Sequence, residues 1–144
     1  MFTSILCAVD FSETSERALH YARDLAALTK GHLTVVHVVD QLLHTAAQTS
    51  GSGEAYMKQT QEELDKLLRR IAPERREPFG ITVEVGDAAE QILKQVTECR
   101  ADLIVMGTHG REGAKRLVFG STAEAVLRRS QVPVLAVPGQ EDVD

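Results

Sequence analysis

Five short apolar runs, separated by amphipathic stretches, constrain the fold of this chain more than any other feature of its sequence. They are residues 3–9 (TSILCAV), 32–39 (HLTVVHVV), 81–85 (ITVEV), 101–107 (ADLIVMG) and 132–138 (VPVLAVP). Near-continuous apolar runs rich in β-branched residues suit strands covered on both faces, as in a parallel sheet. Ahead of the second run, Ala18, Ala22, Leu25 and Ala26 recur at helical spacing behind a Ser12 N-cap, with Glu13 and Glu16 in the first turn and Gly31 as the expected C′ glycine. Residues 54–72 place Leu64, Leu67, Leu68 and Ile71 on one stripe before Pro73. Asp87 and Glu90 form a D-x-x-E capping pair ahead of Ala89, Ile92, Leu93 and Val96, and Ala123, Val126 and Leu127 continue a last short helix. Residues 40–53 are polar, rich in Ser, Thr and Gly, and aperiodic, and are expected to be a loop.

The resulting order, β-α-β-α-β-α-β-α-β, implies an α/β fold, a doubly wound five-stranded parallel sheet in a single domain spanning residues 1–144. In such sheets ligands bind beyond the carboxyl ends of the strands, where strand order reverses. That rule puts Asp10, residues 38–40 and residues 106–110 on one rim. Pro133 lies inside the last run and argues for an edge strand there, because a central strand could not spare the N–H donor.

Composition narrows the function. The 144 residues are 43% hydrophobic and 26% charged, enough for a real core, and the net charge of −5 disfavours nucleic acid and anionic membranes as general partners. Aromatics at 4% leave little material for base-stacking platforms. Two cysteines suit a reducing compartment, and no apolar stretch reaches the ~18 residues of a membrane span. The N-terminus has no basic n-region and already reads as a strand. A cytoplasmic protein is expected.

The segment GTHGREGAKRLVFGST, residues 107–122, carries glycines, bases and a terminal Gly-Ser-Thr, yet fits neither G-x-x-x-x-G-K-[ST] nor G-x-G-x-x-G. Gly107 and Gly110 stand where a strand ends; Gly120, Ser121 and Thr122 stand where a helix begins. A helix start offers unpaired N–H groups to an anion, glycines allow close backbone approach, and Arg111, Lys115 and Arg116 could neutralise phosphate charge. The same residues also describe an ordinary Gly-rich βα connection with a Ser/Thr cap. Of the five histidines, His37 alternates within a strand and His20, His32 and His44 have no metal-ligand spacing with acids or Cys, whereas His109 lies inside this loop, where an imidazole could reach phosphate.

The spacing G-x-x-G-x9-G-[ST], met by Gly107, Gly110, Gly120 and Ser121, resembles the nucleotide motif of the universal stress protein family. ILCAVDFSETSERAL, LTVVHVV, VEVGDAAEQIL, ADLIVMGTHG and SQVPVLAVP are similar to the family's successive strands and helices, so the resemblance covers nearly the whole chain. It implies an adenine-nucleotide alpha-hydrolase-like, Rossmann-like fold, a place in the family's ATP-binding branch, and a pose. In that pose Asp10 accepts from the adenine or ribose, and Phe11 and Ser12 line the same turn. Val38 meets the adenine edge through its backbone, and Met106 covers the base or ribose. Gly107 and Gly110 wrap ribose and phosphates; Gly120, Ser121 and Thr122 bind phosphate, with Arg111 as an adjustable contact. It further implies ATP, or AMP or ADP, as ligand, and a homodimer through the last strand acting in stress response or signalling, with an unidentified regulatory protein partner. Hydrolysis would need a positioned water and a residue to orient it. No P-loop lysine, G-x-S-x-G or Ser-His-Asp spacing supplies one, so no catalytic residue is assigned. A slow ATPase or adenine-nucleotide hydrolase, assisted by Asp10 with Mg²⁺ or Mn²⁺, and a dimeric adaptor that binds no nucleotide, stay open as alternatives.

Overall fold

All five apolar runs are strands of one parallel sheet, in the order β3-β2-β1-β4-β5. The computed structural model describes residues 1–73, 79–109 and 119–139. The strands are β1 (Ser4–Ala8), β2 (His32–Val39), β3 (Gly80–Val85), β4 (Leu103–Gly107) and β5 (Val134–Val137). Between them lie α1 (Glu13–Thr29), α2 (Gln41–Thr49), α3 (Gly53–Ile71), α4 (Ala88–Glu98) and α5 (Ser121–Arg129). The chain starts in the middle of the sheet, builds outward through β2 and β3, then returns to lay β4 and β5 on the other side of β1. The order therefore reverses at the β1–β4 junction.

The two-residue alternation of the strands divides the core. Ile5, Cys7, Leu33, Val35, Leu103 and Val105 pack with Ala18, Leu19 and Ala22 of α1 and Leu64, Leu67, Leu68 and Ile71 of α3. Leu6, Val36, Ile104 and Met106 pack with Ala89 and Ile92 of α4 and Ala123 and Val126 of α5. Helices thus cover both faces of a doubly wound sheet. Burial pushes the Cys7 thiol well above its ordinary range, which makes it a core residue and not a nucleophile. β5 lies at an edge, as Pro133 suggested; Pro133 stands just before the strand and its carbonyl still accepts from Ile104 N–H at 3.0 Å.

Two expectations need correction. Residues 41–49 are helical and not a loop: Asp40 caps α2, accepting from Leu42 N–H at 2.8 Å and Leu43 N–H at 3.3 Å. The Ser and Gly residues that signalled a loop cluster at 50–53, where α2 ends and α3 begins, while QLLHTAAQT contains good helix formers. At the end of α1 the left-handed residue is Lys30 (φ 57°), not Gly31. Gly31 is needed for space, since a Cβ there would lie 2.8 Å from the Phe2 carbonyl oxygen.

Candidate functional site

The site is built where β1 stops and its neighbours continue. The β1–α1 turn closes on itself through Asp10, Ser12 and Ser15. Asp10 Oδ1 accepts from Ser12 N–H at 3.0 Å and from the Ser12 hydroxyl. Ser12 Oγ in turn accepts from Ser15 N–H at 3.1 Å and so caps α1. Asp10 N–H donates to Ser15 Oγ at 3.1 Å, and that hydroxyl donates to the Ser12 carbonyl. The turn uses Oδ1 of Asp10 and no bond of the turn occupies Oδ2, so this half-buried carboxylate keeps an oxygen for a ligand. Phe11, at the apex, is left-handed (φ 65°) and packs its ring against His37, with centroids 4.7 Å apart.

Backbone groups flank Asp10 on both sides. Val36 accepts from Val9 N–H at 2.9 Å, the last rung between β2 and β1. Val38 is two residues further along and faces the same way, onto space that β1 no longer fills. On the other side, Thr108 N–H bonds the Val137 carbonyl of β5 at 3.0 Å, so Gly107, one residue earlier, turns its backbone toward β1. The last β1–β4 pair is Cys7 with Val105, so Gly107 too lies beyond the ladder. Met106 is 5% exposed and packs its side chain in the α4–α5 layer, which makes it a core residue that supports the rim.

Across the crevice α5 begins. Gly120 is its N-cap, extended at φ −65° and ψ 161°, with no side-chain cap, and its N–H donates to the Thr108 carbonyl at 2.6 Å. That bond holds the start of α5 beside the end of β4. Ser121 and Thr122 occupy the first turn, where N–H groups and the positive end of the helix dipole favour an anion. Gly110, Arg111, Lys115 and Arg116 lie outside the described residues.

His109 has its ring nitrogens within reach of two hydroxyls, Nδ1 at 3.1 Å from Thr108 Oγ1 and Nε2 at 3.3 Å from Thr14 Oγ1. It therefore ties the β4–α5 loop to the start of α1. A Cβ on Gly139 would come within 3.0 Å of the same ring.

A family model described as the universal stress protein family matches residues 1–138. The chain belongs to the universal stress protein family. Universal stress protein MJ0577 from Methanocaldococcus jannaschii is 31% identical over 155 residues, covering 95% of each chain. Its solved structure superposes with a TM-score of 0.79 over 99% of each chain at 30% identity. A universal stress protein solved in complex with cAMP has a TM-score of 0.70 at 23% identity, covering 95% of this chain and 97% of its own. The one from Archaeoglobus fulgidus solved with dAMP has 0.61 at 21% identity, covering 95% and 98%. These last two show the shared fold.

In this universal stress protein the described residues singled out from sequence, Asp10, Phe11, Ser12, Val38, Met106, Gly107, Gly120, Ser121 and Thr122, fall around the carboxyl end of β1. Phe11 and Met106 sit there as packing residues. Sequence reasoning passed over Ser15, Thr14 and His37. Ser15 closes the Asp10 turn; the two serines three apart at the helix start are the signal that pointed to it. His37 read as one more alternating strand residue, although its Nδ1 reaches the Val9 carbonyl at 2.8 Å. Among the described residues no three His, Cys, Asp or Glu side chains stand close enough to hold a metal ion, and no helix is long and apolar enough to cross a membrane.

Proposed function

We propose that this universal stress protein binds ATP, or another adenine nucleotide, at the carboxyl end of β1, and that occupancy alters a homodimer or its partner surface in stress response or signalling in the cytoplasm. The observation that carries the reading is the pair of open backbones, Val38 and Gly107, on either side of Asp10, facing an α5 start with no side-chain cap. Val38 N–H and C=O match the donor and acceptor edge of adenine. Asp10 Oδ2 suits a ribose hydroxyl, and the first turn of α5, with Ser121 and Thr122, suits phosphate. Gly110 and Arg111 would complete the phosphate end. The adenine nucleotides held by two proteins of the same fold support the choice of base. A divalent ion arriving with the nucleotide would find the Asp10 carboxylate at the rim, and would serve to neutralise phosphate charge.

Holding is favoured over cleavage. In this reading the open Oδ2 of Asp10 is taken by the ribose hydroxyl, away from the phosphates, and both ring nitrogens of His109 have hydroxyl partners, so neither is placed as a base for attack on phosphate. The test is a thermal shift with ATP. At a hundredfold excess over Kd the folded state should gain about 2.7 kcal/mol, and Gly120→Val should remove the gain. No shift in the wild type sinks the reading. Metal-dependent phosphate release abolished by Asp10→Ala would replace it with an ATPase.

A further inference from the structure

We propose that His37 is the positioning residue that ends the β1–β2 ladder one rung early and thereby leaves Val38 free to read the base. Registration sets the expectation. Ala8 pairs with Val36, and Val9 N–H donates to the Val36 carbonyl. Continuing this parallel ladder, the next bond would run from Val38 N–H to the Val9 carbonyl. That carbonyl instead stands 2.8 Å from His37 Nδ1. A carbonyl only accepts, so Nδ1 carries the proton and donates. The side chain has taken the place of the next backbone donor.

The rest of the strand agrees. Gly86 N–H donates to the Val39 carbonyl at 3.0 Å, so Val39 and His37 direct their backbones to β3, while Val36 and Val38 face β1. Among the residues of β2 whose backbones face β1, Val38 is therefore the first whose N–H and C=O meet no β1 backbone. The His37 ring also packs against Phe11, the left-handed residue (φ 65°) that follows Asp10. One imidazole thus satisfies the Val9 carbonyl just past β1, supports the turn that carries Asp10, and holds open the gap beside Val38.

The consequence for recognition rests on the proposed adenine site. Adenine accepts at N1 and donates from its 6-amino group, which complements Val38 N–H and C=O. Hypoxanthine presents the reverse pattern, donor against donor and acceptor against acceptor. A Val38 amide drawn back onto Val9 would lose this discrimination.

Amide exchange and nucleotide selectivity test the two halves separately. In the wild type the Val38 amide should exchange fast. In His37→Leu it should gain the Val9 carbonyl and slow by at least about tenfold. His37→Asn, whose amide nitrogen can sit where Nδ1 sits, should keep it fast. Should the leucine variant not fold, His37→Gln, which moves the donor outward at similar bulk, takes its place. The ATP-to-ITP affinity ratio should fall about tenfold in His37→Leu and be restored in His37→Asn. A Val38 amide already slow in the wild type, or unchanged by His37→Leu, overturns the ladder role. Slowed exchange with an unchanged ratio overturns the role in base selection. A wild type that binds neither nucleotide defeats the adenine site and the selectivity with it, while the exchange result still decides whether His37 ends the ladder.

Discussion

A methyl group on Gly107 would stand 2.6 Å from Thr14 Cγ2, 3.2 Å from the Thr14 carbonyl carbon and 3.3 Å from Ser15 N. The glycine is therefore required by the packing of α1 on β4, whatever it also offers a ligand. Gly107→Ala should cost about 1–3 kcal/mol in urea denaturation. Adding Thr14→Ser should recover part of that cost, because the closest atom is removed while two backbone contacts stay tight. Full stability with lost nucleotide binding would instead assign this glycine to the ligand alone. From sequence the glycine was legible as special, but not its cause, because Thr14 comes from a distant helix. Asp102 presents a second residue-level case, at the opposite end of the sheet. Partial desolvation raises its carboxyl, but N–H donation from Ser4 at 3.2 Å and Thr3 at 3.1 Å outweighs this and holds it below the ordinary value of 3.8. A depressed folded-state value contributes stability that is present above the unfolded value and lost as pH falls through the folded one. Asp102→Asn should accordingly lower the urea midpoint at neutral pH, with the gap closing in acid. A gap independent of pH would remove the charge from the explanation.

At the scale of elements, α2 and α3 are neighbours with opposite roles. α3 places Leu64, Leu67, Leu68 and Ile71 in the core, whereas no residue of α2 is buried and Leu42 is 79% exposed. Leu64→Ala should cost about 2–5 kcal/mol of global stability. Asp40→Ala removes the α2 cap and should destabilise that helix by about 1 kcal/mol, seen as faster amide exchange across residues 41–49, with little change in the global midpoint. A large global loss would mean that α2 is packed more deeply than its exposure indicates. The same contrast explains what could be read in advance. α1, α3 and α4 were legible because each repeats its apolar residues on the stripe that the sheet buries. α2 escaped because periodicity reports burial, and α2 has none to report; its Asp40 cap was the available signal. The helix start at Gly120 was legible as the end of a glycine spacing, but the His37–Val9 bond was not, since it depends on where β1 stops relative to β2.

The whole sheet has two edges, and they are not equivalent. β3 is six residues long and exposes Ile81 (49%), while β5 has four and exposes Leu135 (37%). An uncovered strand edge is a template for another chain, and a homodimer through β5 would cover one of the two. β5 also touches the candidate site directly: Val137 pairs with Gly107, and its carbonyl holds Thr108 N–H. An event at the proposed nucleotide rim is thus one strand away from the proposed dimer edge, which would give ligand occupancy a short physical route to assembly. Sedimentation of edge variants tests this arrangement. Leu135→Glu should yield a monomer at concentrations where the wild type is a dimer, because it places a charge in the joined edge. Ile81→Glu should leave the dimer intact. Dissociation by Ile81→Glu alone would move the interface to the other end of the sheet. A wild type that sediments as a monomer with and without ATP would remove the homodimer, and with it the coupling through Val137.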